Sequence, residues 1–197
     1  MRLTVLPFLA VAALLLPDLA QASTWQIDPS HTSVSFKVKH MMVSWVRGEF
    51  GGVSGTMTYD PKRPSDTTVT AEIDATTIDT QDAKRDGHLK SPDFFDAAKH
   101  PTLTFESVKV RSVGNSNLRL DGDLTIRGVT KRVTLDVSDI TGEVADPWGN
   151  VKMGATATTT IDRKEFGVSW NKVLDKGGVL VSNEVRITID VQLNKKA

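Results

Sequence analysis

Four histidines, His31, His40, His88 and His100, and one Arg85-Asp86-x-His88 cluster are the side chains best suited to proton transfer or metal binding. A histidine metal site needs ligands that converge. No two of these have i, i+4 spacing, HExxH is absent, and the chain has no cysteine to complete a set. Capping a turn or bonding a carbonyl is the simpler role. The Arg85-Asp86-x-His88 group has the residue types of an acid–base cluster. It equally suits the wet face of a short polar helix, with Asp82 in its first turn, or the mouth of a cavity that meets a polar head group. There is no GxSxG, no phosphate-cradling GxxxxGK[ST] loop and no dinucleotide fingerprint. The glycines of residues 48–55 sit in a strand-like run and are read as permitting bulging and strong coiling. No catalytic residue, metal or cofactor is expected, and the chain is read as not an enzyme.

The element that must position this cluster is residues 80–96, TQDAKRDGHLKSPDFFD, the one long stretch whose apolar residues do not alternate. A helix-compatible run over residues 81–90 is followed by Ser91-Pro92 and the aromatic pair Phe94-Phe95. Inside an all-β chain, such an insert predicts a lid, a plug or a barrel corner.

Around it the period is two. Val34, Phe36 and Val38 alternate with Ser35, Lys37 and Lys39. Val69, Ala71 and Ile73 do so in the next run, then Leu118, Leu120, Leu124 and Ile126, and then Val133, Leu135 and Val137. Residues 151–161 and 185–193 repeat the pattern. Parity slips between Phe105 and Val108, which predicts a bulge. With turn residues between the runs, the pattern fits a sandwich or a barrel. Strand length and short connections favour an all-β, extended antiparallel up-and-down barrel of about eight strands, with a helical insert around residues 81–96. Mostly Val, Ile, Leu and Ala point inward, leaving room for an apolar guest. Met41, Met42, Val43, Trp45, Val46 and Phe50 form one apolar cluster, and Trp148, Phe166 and Trp170 fall in later turns. These either pack an end of the barrel or line its mouth.

Residues 1–22 have a positive start, an apolar run from Leu3 to Leu16 and Ala20-Gln21-Ala22, the marks of a cleaved export signal. The run is shorter than the roughly 20 residues a membrane span needs. Residues 23–197 are of a size for one domain, and without cysteine its stability rests on the core. The formal net charge is +0 with interleaved signs, and no basic stripe stands out to suggest nucleic acid or an anionic membrane surface as the partner.

The sequence also resembles the YceI-like proteins, known as polyisoprenoid-binding periplasmic proteins. The resemblance rests on Asp28-Pro29-Ser30-His31-Thr32-Ser33, Phe36 with His40, Gly48-x-Phe50 with Gly55, and Ile78-Asp79-Thr80. It continues through RDGHLKSPDFFD at 85–96, Pro101-x-x-x-Phe105-x-Ser107, GDLTIRGVTK at 122–131 and Arg163-x-x-Phe166-Gly167. It implies a lipocalin-like barrel holding a long isoprenoid or similar amphiphile, such as a prenyl lipid, an isoprenoid quinone or a fatty amide, in the periplasm. On that reading Phe36, Val38, Leu103 and Phe105 line the bore. Met41, Met42, Trp45, Phe50, Leu89, Phe94, Phe95, Phe166 and Trp170 form its entrance and walls, and His31, His40, Arg85 and His88 meet the head group. The expected partners are the lipid, a membrane touched in passing and, for a homodimer, a second copy. Two other readings stay open: an enzyme modifying a bound lipid through Arg85, Asp86 and His88, and a filled barrel serving adhesion or assembly.

Overall fold

The computed structural model describes residues 22–114, 117–175 and 177–196. The expected export signal lies outside them except for its last residue. Eleven strands are described: β1 Ser23–Ile27, β2 Ser33–His40, β3 Ser44–Phe50, β4 Val53–Tyr59, β5 Thr68–Asp74, β6 Thr102–Ser112, β7 Leu118–Ile126, β8 Val129–Ser138, β9 Val144–Ala145, β10 Val151–Asp162 and β11 Val181–Lys195. The α-helix, α1, is Ala83–Lys90.

Strands β4, β5, β6, β7, β8, β10 and β11 follow one another as antiparallel neighbours, and β1 pairs with both β4 and β11 to close an eight-stranded barrel. The β2–β3 hairpin continues the wall along β11, whose 15 residues pair with β1 at one end and β2 at the other. The alternation explains the closure. Each strand has one apolar face, and a curved sheet that meets itself buries all of those faces while leaving few free edges. The all-β barrel expected from the period is therefore the fold observed.

Local departures have local causes. The β6–β7 register shifts between Ser107 and Lys109, at the predicted bulge, and turns Val108 out to solvent. Gly122 shares the inward parity of Leu120 and Leu124, and a Cβ there would collide with the Phe105 ring, so glycine makes room for that aromatic. The glycine-rich run is not one strand, as expected, but a corner. β3 ends at Phe50, and Gly52 turns with φ 59° before β4 begins at Val53.

The insert is a piece of wall. Asp79 bridges Glu49 of β3, and Ala75 N–H donates to the Pro101 carbonyl at 2.8 Å. Asp82, expected within the first turn, instead caps α1, accepting the Arg85 N–H at 3.0 Å. Phe95 meets Phe50 edge-on at 5.5 Å, and Phe50 in turn lies 5.7 Å from Phe36. On the other side Phe94 packs 5.2 Å from Trp170. The segment thus spans from β3 to the turn after β10, filling a gap that strands leave open.

Candidate functional site: an apolar cavity in the barrel

The inward faces do not meet in the middle. They enclose a cavity of about 430 Å³, within the 300–1,000 Å³ or so typical of small-ligand sites. Its wall is built by the alternating residues: Val34, Phe36 and Val38 from β2, Val69, Ala71 and Ile73 from β5, Val133, Leu135 and Val137 from β8, and the matching rows of β7, β10 and β11. This hollow overturns the filled-barrel reading.

Of the residues singled out from sequence, Phe36, Val38, Phe50, Leu103 and Phe105 are on the wall, as are Leu89, Phe94, Phe95, Phe166 and Trp170. His40, Arg85 and His88 also border the cavity. Four are not there, which corrects their expected placement. Met41 and Met42 form the exposed β2–β3 turn. Trp45 pairs with Lys39, one position out of phase with the inward Val38–Val46 pair, so its ring lies outside beneath Lys37, Lys39 and Arg186. His31 is exposed and bonded to Asp28 in the turn after β1.

The Arg85-Asp86-His88 group is not assembled as an acid–base relay. Asp86 accepts from the Thr80 N–H and hydroxyl, while Arg85 donates to the Thr80 hydroxyl and carbonyl, each at 2.7 Å. His88 bonds Asp93 at 2.9 Å instead and presents its ring edge-on to Phe94 and Trp170. These contacts fasten α1 into the wall.

Sequence reasoning missed Arg163. Its side chain is buried at the cavity border, and its guanidinium donates to the carbonyls of Ser182, Val168 and Trp170 at 2.6–2.9 Å, with a longer contact to Val181. Burial pulls its pKa below the ordinary arginine value, opposed by the neighbouring Asp162. The ionisable residues bordering the cavity besides Tyr59 are Lys39, His40, Arg85, His88 and Arg163, with no carboxylate among them. They gather around the β2 end, α1 and the turn after β10. Their charged ends are turned away from the bore, Arg85 to Thr80, Arg163 to backbone carbonyls and Lys39 to the outer face beside Trp45, so the cavity surface is apolar.

Asp28 stands apart from this wall and carries acid sensitivity. The bond from His31 is the largest influence and burial opposes it. With the Ser30 N–H and the Gln192 amide it holds the carboxyl at about 2, against an ordinary 3.8. Because the folded-state value is the lower, this stability is present above 3.8 and is lost as pH falls through about 2. Asp28→Asn is expected to cost about 1–3 kcal/mol near neutral pH. It should also flatten the loss of stability in that acid window, read from urea midpoints across pH. An unchanged acid profile would show that another group dominates.

An antiparallel barrel that keeps an apolar cavity between its inward faces, walled on one side by a helical insert, is the class of protein this arrangement defines. Within that class, the YceI-like domain family matches residues 25–193, and the chain belongs to that family. A UPF0312 protein of Vibrio parahaemolyticus is 39% identical over 158 residues, 79% of this chain and 83% of that one. The crystal structure of BcnA from Burkholderia cenocepacia is similar with a TM-score of 0.74 at 25% identity, covering 84% of this chain and 98% of that chain. A polyisoprenoid binding domain from Saccharophagus degradans, implicated in plant cell wall breakdown, shares the fold with a TM-score of 0.62 at 12% identity, covering 87% and 98%.

Proposed function

We propose that the protein holds a long-chain amphiphile, an isoprenoid or other lipid, inside the barrel and sequesters or ferries it in the periplasm. The apolar cavity is the observation that carries this reading. The signal-like residues 1–22 support the compartment. The shared barrel of a polyisoprenoid binding domain supports the ligand class.

The energetics favour a carrier over a tight sink. Each methylene buried from water is worth about 0.8 kcal/mol, but the competing site for a lipid is a bilayer, which is as apolar as the bore. Tail transfer between the two is then close to neutral. Selectivity then falls to the contacts a polar head group makes where the bore ends, beside His40 and His88. Native mass spectrometry of gently extracted protein is expected to show a bound lipid. Absence of any lipid, together with no uptake of prenyl or fatty ligands by the emptied protein, counts decisively against the proposal.

A further inference from the structure

The β2–β3 turn is the least comfortable piece of backbone in the barrel. His40 to Val43 close as a tight turn, with the Val43 N–H donating to the His40 carbonyl at 3.0 Å. Both central residues, Met41 and Met42, are left-handed, with φ 51° and 60°. A turn with two left-handed centres favours Asn-Gly, and two methionines there are strained. They are also exposed: Met41 by 44%, Met42 by 59% and the following Val43 by 80%. Three exposed apolar side chains in a row thus stand at a hairpin tip whose backbone is tied to the residue before β11 by the Met41 N–H donating to the Leu180 carbonyl at 2.8 Å. Strain kept at such a place marks use.

Directly behind the tip, the outer face of the hairpin and of β11 carries Trp45 with Lys37, Lys39 and Arg186 around its ring, at 4.6–5.4 Å from the centroid. Arg47 pairs across from Lys37 on the same face. Glu184, which bonds Arg186 at 2.9 Å and has Asp162 opposite it, is one acid on this face, and Glu49 with Asp79 lies farther from the tip than Lys39 and the Lys37–Arg47 pair. An apolar tip, then an aromatic ring, then a belt of lysine and arginine matches a bilayer taken from its acyl chains outward through the interface to the head groups. The exposed Val144 and Trp148, near the other end of β11, have lysines beside them that are already paired, Lys152 with Asp28 and Asp146 and Lys195 with Glu143. There Asp146 accepts from the Trp148 N–H and the Asn150 amide.

We propose that the β2–β3 hairpin docks the barrel on an anionic phospholipid surface, with Met41, Met42 and Val43 entering the acyl boundary and Lys37, Lys39, Arg47 and Arg186 meeting lipid phosphates. Lys39 and His40 border the cavity and lead directly into this turn, so docking brings that end of the bore toward the membrane. The proposal adds to the carrier reading the place where cargo is exchanged, and its chemistry stands on the outer surface alone.

Co-sedimentation of residues 23–197 with vesicles of phosphatidylcholine containing about one third phosphatidylglycerol tests it. Binding is expected at low salt, weak on pure phosphatidylcholine, and reduced as salt rises. The pair Lys37→Glu and Arg47→Glu is expected to weaken binding more than tenfold, and Met42→Asp with Val43→Asp to remove it. All four sites lie off the cavity wall, so uptake of a fluorescent fatty or prenyl probe from solution should be unchanged in these variants. Wild-type protein that ignores anionic vesicles, or variants that bind like wild type, would overturn the docking surface. So would sedimentation showing that the tip instead joins two copies. Failure of probe uptake alongside intact vesicle binding would count against the carrier reading and leave the docking surface standing.

Discussion

Ala157→Trp is expected to cut lipid uptake at least a hundredfold while the barrel stays folded. Ala157 lies midway along β10, between Val137 and Ile189, and all three face the bore. Forcing a large side chain into a close-packed core costs about 1–3 kcal/mol. Here the indole has the cavity to occupy, so the cost falls at the low end. A tail threading the bore would meet the ring across its path, and lost apolar contact accumulates at about 25 cal/mol per Å². Thr158→Trp on the exposed face of the same strand supplies the control and should bind as wild type does. Titration with a fluorescent prenyl or fatty ligand, paired with thermal melts, reads both effects. Undiminished uptake by a folded Ala157→Trp protein would place the ligand somewhere other than the bore.

The second large effect is on stability. Arg163→Leu removes the donor that holds four carbonyls contributed by Val168, Trp170, Val181 and Ser182. A buried carbonyl left without a partner costs about 1–3 kcal/mol, so a loss on the order of 3–5 kcal/mol is expected after relaxation and solvent entry. Arg163→Lys recovers only part of it, because an ammonium cannot reproduce the planar fork that serves several carbonyls at once. Guanidinium chloride unfolding measures the change. A leucine variant within 1 kcal/mol or so of wild type would mean that the 167–182 segment holds its place without the guanidinium. Since Trp170 packs on His88 and Phe94, loosening this segment should also loosen the α1 wall.

Much of the barrel was legible because side-chain direction in a strand repeats every two residues regardless of what the strand pairs with. Val34, Phe36 and Val38 had to share a face, and an apolar face in a strand must be covered. The same rule could have placed Trp45 correctly. It shares parity with Arg47 and Glu49, while Val46 and Phe50 take the other face, so grouping it with its apolar neighbours overlooked the period. Met41 and Met42 were beyond that rule. They sit in a turn, where no period operates, and their left-handed backbone follows from how tightly β2 returns into β3.

What the sequence by itself determined is therefore strands β2, β5, β7, β8, β10 and β11, the face each turns inward, the bulge near Ser107, the helical insert and the family likeness that runs through the motifs. Each is local: a period, a propensity or a short pattern read within a few residues. Only the tertiary structure decided that the inward faces stay apart around a cavity, that residues 75–101 serve as wall, and that Arg163 is interior rather than surface. Those facts depend on strand number, register and the return of residues 168–171 and 181–182 onto Arg163 at the end of β10. They arise from contacts between segments far apart in the chain, and a one-dimensional pattern holds no distance between them.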